Sequence, residues 1–238
     1  MSDSPQSAPE NDAPTDDSAV DGAEAAAVSD DAPALRSGNE AIEQAAARAE
    51  ETGGKNLPVI GEVPLPDDTA NLRLGPELNP ALLGLLPLVG VWEGDGEGHD
   101  PITGDDYPFG QQIIISHDGG PYLIWQSRSW KLDADGECTG PDLRENGFWR
   151  ITDDDTIELL VSHAEGSIEL YYGRPLNQTS WNLTTDVTLK TQSGAHTGAA
   201  KRLYGLVPDG DLAYVEERID NDGDLTPRLS AKLKRVIG

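Results

Sequence analysis

The chain has 238 residues, with 43 Asp and Glu against 17 Lys and Arg, giving a formal net charge of -26. A surface this acidic repels nucleic-acid phosphates and anionic lipid headgroups, so neither nucleic acid nor a membrane is an expected partner. The single cysteine, Cys138, allows no disulfide within the chain, and no apolar run approaches the ~20 residues of a spanning helix.

Roughly half of the acidic excess lies before Asn71. From Ser2 to about Pro33 the chain is almost entirely Ser, Asp, Glu, Ala, Pro and Gly. Such a segment cannot bury enough apolar area to offset ordering its backbone, which costs about 1–2 kcal/mol per residue. A disordered acidic tail is therefore expected over residues 1-78, and the folded domain over 79-238. MSDSPQSAPE shows neither the positive start nor the apolar stretch of a secretory signal, so the expected location is cytoplasmic.

Within the tail, Asn39 is placed to cap a helix near 39-51, with Thr52-Gly53-Gly54 ending it. Its apolar face is only Ile42, Ala45, Ala46 and Ala49, too weak to require docking. LPVIGEVPLPDD then reads as an extended linker. A stronger helical signal follows: Asn79 as cap, Pro80 in the first turn, then Ala81, Leu82, Leu83, Leu85 and Leu86 before Pro87. So short and apolar a piece must pack on something larger, as a lid at one end of a sheet.

From Val91 the pattern changes to short β-branched and aromatic runs, from VWEGDGEG to RLSAKLKRVI, separated by Gly, Asp and Pro clusters. Roughly ten such runs predict an all-β, antiparallel, up-and-down barrel. Asp118-Gly119-Gly120-Pro121, Asp153-Asp154-Asp155, Glu165-Gly166 and Pro208-Asp209-Gly210-Asp211 supply the residues that tight hairpins need. Ile157, Leu159 and Val161 alternate onto one predicted core face, and Leu203, Leu206 and Val207 form another. A barrel wider than eight strands is expected to enclose a cavity able to hold a small apolar or flat ligand.

One segment stands out. Gly90, Trp92, Gly94, Gly96 and Gly98 form a GXWXGXGXG motif, and strand alternation puts all five on one face. Glycine inside a strand serves either a close approach to the backbone or a sharp bend, here around Trp92. The segment LLPLVGVWEGDGEG resembles the opening of the nitrobindin family. GQQIIISHDGGPYLIWQSRSW, LLVSHAEGSIELYYG and TPRLSAKLKRV carry the resemblance to the end of the chain.

The resemblance implies a ten-stranded barrel that binds haem b through one histidine and isomerises peroxynitrite to nitrate. That histidine begins the last strand, and the matching position here is Arg228, in Thr226-Pro227-Arg228-Leu229. A guanidinium offers no lone pair to iron, so the axial ligand is expected to be missing, and haem-dependent enzyme activity with it. Simple alternation sends Arg228 outward with Ser230 and Lys232; either a bulge after Pro227 resets the register, or the apolar face of this strand packs outside.

His117 and His163, each at the end of a predicted strand, are the substitute iron ligands to consider, although such residues usually bond to loop backbone. His99 and His196 complete the histidines, and no pair has zinc-ligand spacing. Asp105-Asp106 and Asp153-Asp154-Asp155 lack the twelve-residue calcium pattern and read as solvated turns. Trp92, Trp125, Trp130, Trp149, Trp181 and Tyr171-Tyr172 read first as core packing.

Overall fold

A computed structural model describes residues 38–55, 63–100, 103–194, 198–219 and 223–238. The acidic segment up to residue 37 and His196 lie outside the described residues. Two compact units divide the chain, Met1–Glu62 and Val63–Gly238. In the first, helix α1 spans Gly38–Thr52 and buries none of its residues, as its weak apolar face leads one to expect.

The second unit is a closed barrel of ten antiparallel strands in which each strand pairs with its neighbours in sequence and β1 closes on β10. The strands are β1 (Gly90–His99), β2 (Asp106–Ser116), β3 (Leu123–Leu132), β4 (Cys138–Ile151), β5 (Ile157–His163), β6 (Ser167–Asn177), β7 (Ser180–Lys190), β8 (Ala200–Leu206), β9 (Leu212–Ile219) and β10 (Leu225–Ile237). Closure leaves no full-length edge for another chain to pair with. The predicted turns fall between strands, with Gly166 at φ 90° and Asp155 at φ 61°, both left-handed positions that a tight reversal demands.

The apolar segment before β1 is a 3-10 helix, Pro80–Leu88, which runs one residue past Pro87. Asn79 caps it, its side chain accepting from the Ala81 N–H at 3.0 Å. Leu82, Leu85 and Leu88 are fully buried, so this helix plugs one end of the barrel. Two tryptophans hold the plug by its carbonyls: Trp181 Nε1 donates to Gly84 at 3.0 Å and Trp92 Nε1 to Leu88 at 2.9 Å. Arg235 of β10 lies over the Trp92 ring at 4.1 Å and donates to the carbonyls of Val89 and Pro87, both at 2.7 Å. Plug, first strand and last strand thus meet at Trp92.

The motif glycines face inward with Trp92 and have a packing cause. A Cβ on Gly94 would collide with the β10 backbone, one on Gly96 with the Phe109 ring and one on Gly98 with the Tyr107 ring. The contacts fit the close-approach reading of the glycines: the β10 backbone and flat rings lie against β1, and the rings are the chain's own.

Candidate functional site

Inward-facing residues divide the lumen into two layers. At the plugged end lie Trp125, Trp149, Tyr204 and Tyr214, with successive ring centroids 5.4–5.8 Å apart. This aromatic floor is buried and apolar apart from its N–H and O–H groups. Tyr214 donates its hydroxyl hydrogen to Oε1 of Gln111 on β2 at 2.8 Å, and Gln111 donates to Ser127 on β3 at 3.0 Å.

Above the floor, toward the open mouth, five strands contribute a closed cycle of ion pairs. Glu145 of β4 meets Arg202 of β8 at 2.6 Å, and Arg202 meets Glu216 of β9 at 2.6 Å. Glu216 meets Arg218 at 2.7 Å, and Arg218 meets Glu169 of β6 at 2.5 Å. His163 of β5 closes the cycle, its Nε2 3.0 Å from Glu169 and its Nδ1 3.5 Å from Glu145. Acid and base alternate at every step. Tyr171 donates to Glu169 at 2.6 Å, and the Arg202 guanidinium lies 5.1 Å over the Tyr171 ring.

Electrostatics and burial oppose each other in this cycle. Burial alone raises the pKa of a carboxyl, yet Arg202 and His163 outweigh it at Glu145 and hold that group below its ordinary value. At Glu169 the same burial is overcome by the hydrogen bonds from His163 and Arg218, leaving the carboxyl far below the usual carboxylate range. Burial pulls Arg202 down, but Glu145 and Glu216 drive its pKa well above normal. Glu145 and Glu169 thus keep their negative charge and Arg202 and Arg218 their positive charge in spite of burial.

The hollow expected from strand number is thus crossed by side chains. Glu145 and Arg202 stand on strands separated by β5, β6 and β7, so their bond is a chord across the lumen. The alternation read for β8 is corrected in part: Leu203 faces solvent, while Leu206 packs against the core and Ala200, Arg202 and Tyr204 are buried.

Arg228 sits at the mouth. The β9–β10 register breaks between Pro227 and Leu229, so Arg228 is the extra residue of a bulge, while Leu229, Ala231 and Leu233 face inward. Of the two readings of this strand, the bulge is the one observed. Arg228 donates from Nη1 to the His99 carbonyl and lies 3.4 Å from the Tyr107 hydroxyl. A groove there is lined by Glu97, His99, Asp106, Glu217 and Arg228. A second groove lies on the outer wall, where Ile124, Phe148, Leu160, Leu170 and Val187 form one row across β3 to β7.

The other histidines do not behave as loop-bonding residues. His163 Nε2 hydrogen-bonds with Glu169 at 3.0 Å, and its Nδ1 faces Glu145 at 3.5 Å, so neither ring nitrogen is turned to an open space. His117 is fully buried after β2 with neither ring nitrogen partnered, and burial lowers its pKa. Its backbone pairs with Thr69. His99 is part-exposed and lies 2.8 Å from Asp106. No group of three or more His, Cys, Asp or Glu able to hold a metal occurs among the described residues. No helix among them is long and apolar enough to cross a membrane. Cys138 is free and exposed, and Tyr172 is 41% exposed, outside the core where it was expected.

Glu145, Glu169, Arg202, Glu216 and Arg218 are residues that sequence reasoning missed. In β6, Glu169 shares the buried face with Tyr171, while Ile168 is exposed and Leu170 only part-buried. The readable signal was that each missed charge shares its alternating face with an aromatic: Glu169 with Tyr171, Arg202 with Tyr204, Glu216 with Tyr214.

Residues 81–235 match the model of the THAP4-like, heme-binding beta-barrel domain. The chain is 63% identical over 197 residues to a Nocardia farcinica protein called ferric nitrobindin-like protein, covering 82% of this chain and 83% of that one. It is 58% identical over 210 residues to a Rhodococcus jostii protein called peroxynitrite isomerase 2, covering 85% and 98%. Among solved structures it resembles Rv2717c from M. tuberculosis, with a TM-score of 0.57 and 26% identity over 67% of this chain and 99% of that one.

Proposed function

We propose that this chain, which belongs to the THAP4-like, haem-binding β-barrel family, is a member that has lost histidine-ligated haem. The observation that carries the reading is Arg228. It stands in the bulge that opens β10, at the position the nitrobindin resemblance implies for an iron-binding histidine, and its guanidinium is engaged with the His99 carbonyl. No protonation state near neutrality frees a lone pair on it.

The remaining donors do not supply a replacement at the mouth. His163 is committed to Glu145 and Glu169, and His99 is paired with Asp106. The residues present therefore do not suit a histidine-held haem, and the chain acts as a non-haem binding homologue without haem-dependent isomerase activity. Any ligand it takes is small and held at the mouth. Ferric hemin titrated into the full-length protein gives no sharp five-coordinate histidine Soret band; tight one-to-one binding with that band overturns the reading.

One observation favours a second reading, a haem-dependent peroxynitrite isomerase like those its relatives are named for. His117 is buried with both ring nitrogens unpartnered, as a ligand withheld from hydrogen bonding would be. On that reading hemin binds the wild type and is lost in His117→Leu. An unchanged spectrum in that variant excludes it.

A further inference from the structure

We infer that Arg228 is a side-chain clamp that closes the β1–β10 seam at the mouth, its guanidinium supplying a donor that the strand backbone withholds there. The inference goes beyond the reading above, because it says what this residue does whether or not a ligand is bound.

The direction of the β1 backbone comes first. Asp100 N–H donates to the Asp105 carbonyl on the β2 side at 2.9 Å, so by alternation the carbonyl of His99, one residue earlier, points to β10. What β10 presents to it comes second. The paired register ends with Gly98 opposite Leu229, and its continuation sets His99 opposite Arg228. Arg228 is the residue that the bulge takes out of the ladder, and Pro227 beside it has no N–H to give. The last carbonyl of the seam thus faces a strand without a backbone donor in register. Arg228 Nη1 donates to that carbonyl instead.

The contact continues along the rim. The same Nη1 lies 3.4 Å from the Tyr107 hydroxyl of β2, and that hydroxyl lies 3.5 Å from Asp142 of β4. Asp142 in turn accepts from Ser129 of β3 at 2.9 Å. Guanidinium, phenol and carboxylate therefore follow one another from the last strand to the third. The Tyr107 ring also covers Gly98, the final paired residue of β1, so the clamp and its neighbour hold the same stretch of backbone. Among the described residues the polar contacts of Arg228 are a carbonyl and a hydroxyl, not a carboxylate. Such a clamp depends on the reach and fork of the guanidinium, which a lysine of equal charge does not reproduce.

Hydrogen–deuterium exchange read by mass spectrometry on the full chain tests this. Arg228→Met keeps an aliphatic stem and removes the donors, so exchange should rise about tenfold or more in peptides covering 94–99 and 225–233 while peptides covering 82–92, at the plugged end, stay as in wild type. Arg228→Lys keeps the charge, and its seam should exchange at a rate between those of wild type and Arg228→Met. Wild-type protection of the seam in Arg228→Met overturns the clamp. A rise of equal size at the plugged end overturns it too, since that marks a general loss of stability. Should Arg228→Met fail to fold, Arg228→Lys decides, and exchange equal to wild type in its seam overturns the clamp. A histidine-type Soret band in the wild type sinks the function proposed above and leaves the clamp standing, whereas an unchanged seam sinks the clamp and leaves that function.

Discussion

Arg202 of β8 donates from Nη2 to Oε1 of Glu145 on β4 at 2.6 Å, across a lumen in which three strands lie between them. Both side chains are almost fully buried, at 3% and 7% exposure. A pair so far from water is costly to break from one side only, because the charge left behind has no solvent to return to. Arg202→Ala or Glu145→Ala is expected to lower stability by about 3–5 kcal/mol, read from urea denaturation. R202M/E145Q removes both charges and loses clearly less than either single variant. Equal losses in all three would show that packing, not charge pairing, sets the cost.

Acid should weaken the barrel with a defined sign. Glu145 and Glu169 have folded-state pKa values below the ordinary 4.5. The unfolded chain therefore takes up protons first as pH falls. Their contribution is complete above about pH 4.5 and is lost progressively as the pH drops toward the folded values. Urea midpoints measured from pH 6 down to pH 3 should fall most steeply below about pH 4.5, and Glu169→Gln should flatten that limb.

Trp92 predicts a mechanical role for the motif. Its indole N–H holds Leu88 at 2.9 Å and its ring carries Arg235 at 4.1 Å. Trp92→Phe keeps a ring but removes the donor, and is expected to cost about 1–3 kcal/mol. Proteolysis around the 3-10 helix Pro80–Leu88 should accelerate, because the plug loses one of its two tryptophan anchors.

Strand count, hairpin order and plug were legible in the sequence because each has a local cause, whereas the bulge at Arg228 was one of two readings the sequence left open. Asn79-Pro80 starts the plug, Gly and Asp clusters reverse the chain, and Pro227 breaks the ladder at Arg228. Lumen chemistry was not legible. Alternation locates two faces without saying which is inside, and the default that the apolar face is the core fails where outward rows such as Phe148, Leu160 and Leu170 are also apolar. Arg202 and Glu145 are 57 residues apart, and only closure of the sheet brings them together.

His117 makes a prediction of its own. Burial lowers its pKa below 6.5, so its contribution to stability is full above about that pH and is lost as the solution becomes more acidic. Neither ring nitrogen has a partner, and replacing the ring by an apolar group removes an unmet polar demand. His117→Leu should be more stable than wild type by about 1 kcal/mol near pH 7, with the gap widening toward pH 5. A narrowing gap in thermal melts over that range would contradict the assignment.

The most direct measurement is the absorption spectrum of the full-length protein purified from cells supplied with a haem precursor. A colourless protein with no Soret band is expected, because the Arg228 guanidinium, engaged with the His99 carbonyl, offers no lone pair to iron. One haem per chain with a five-coordinate histidine spectrum would contradict it.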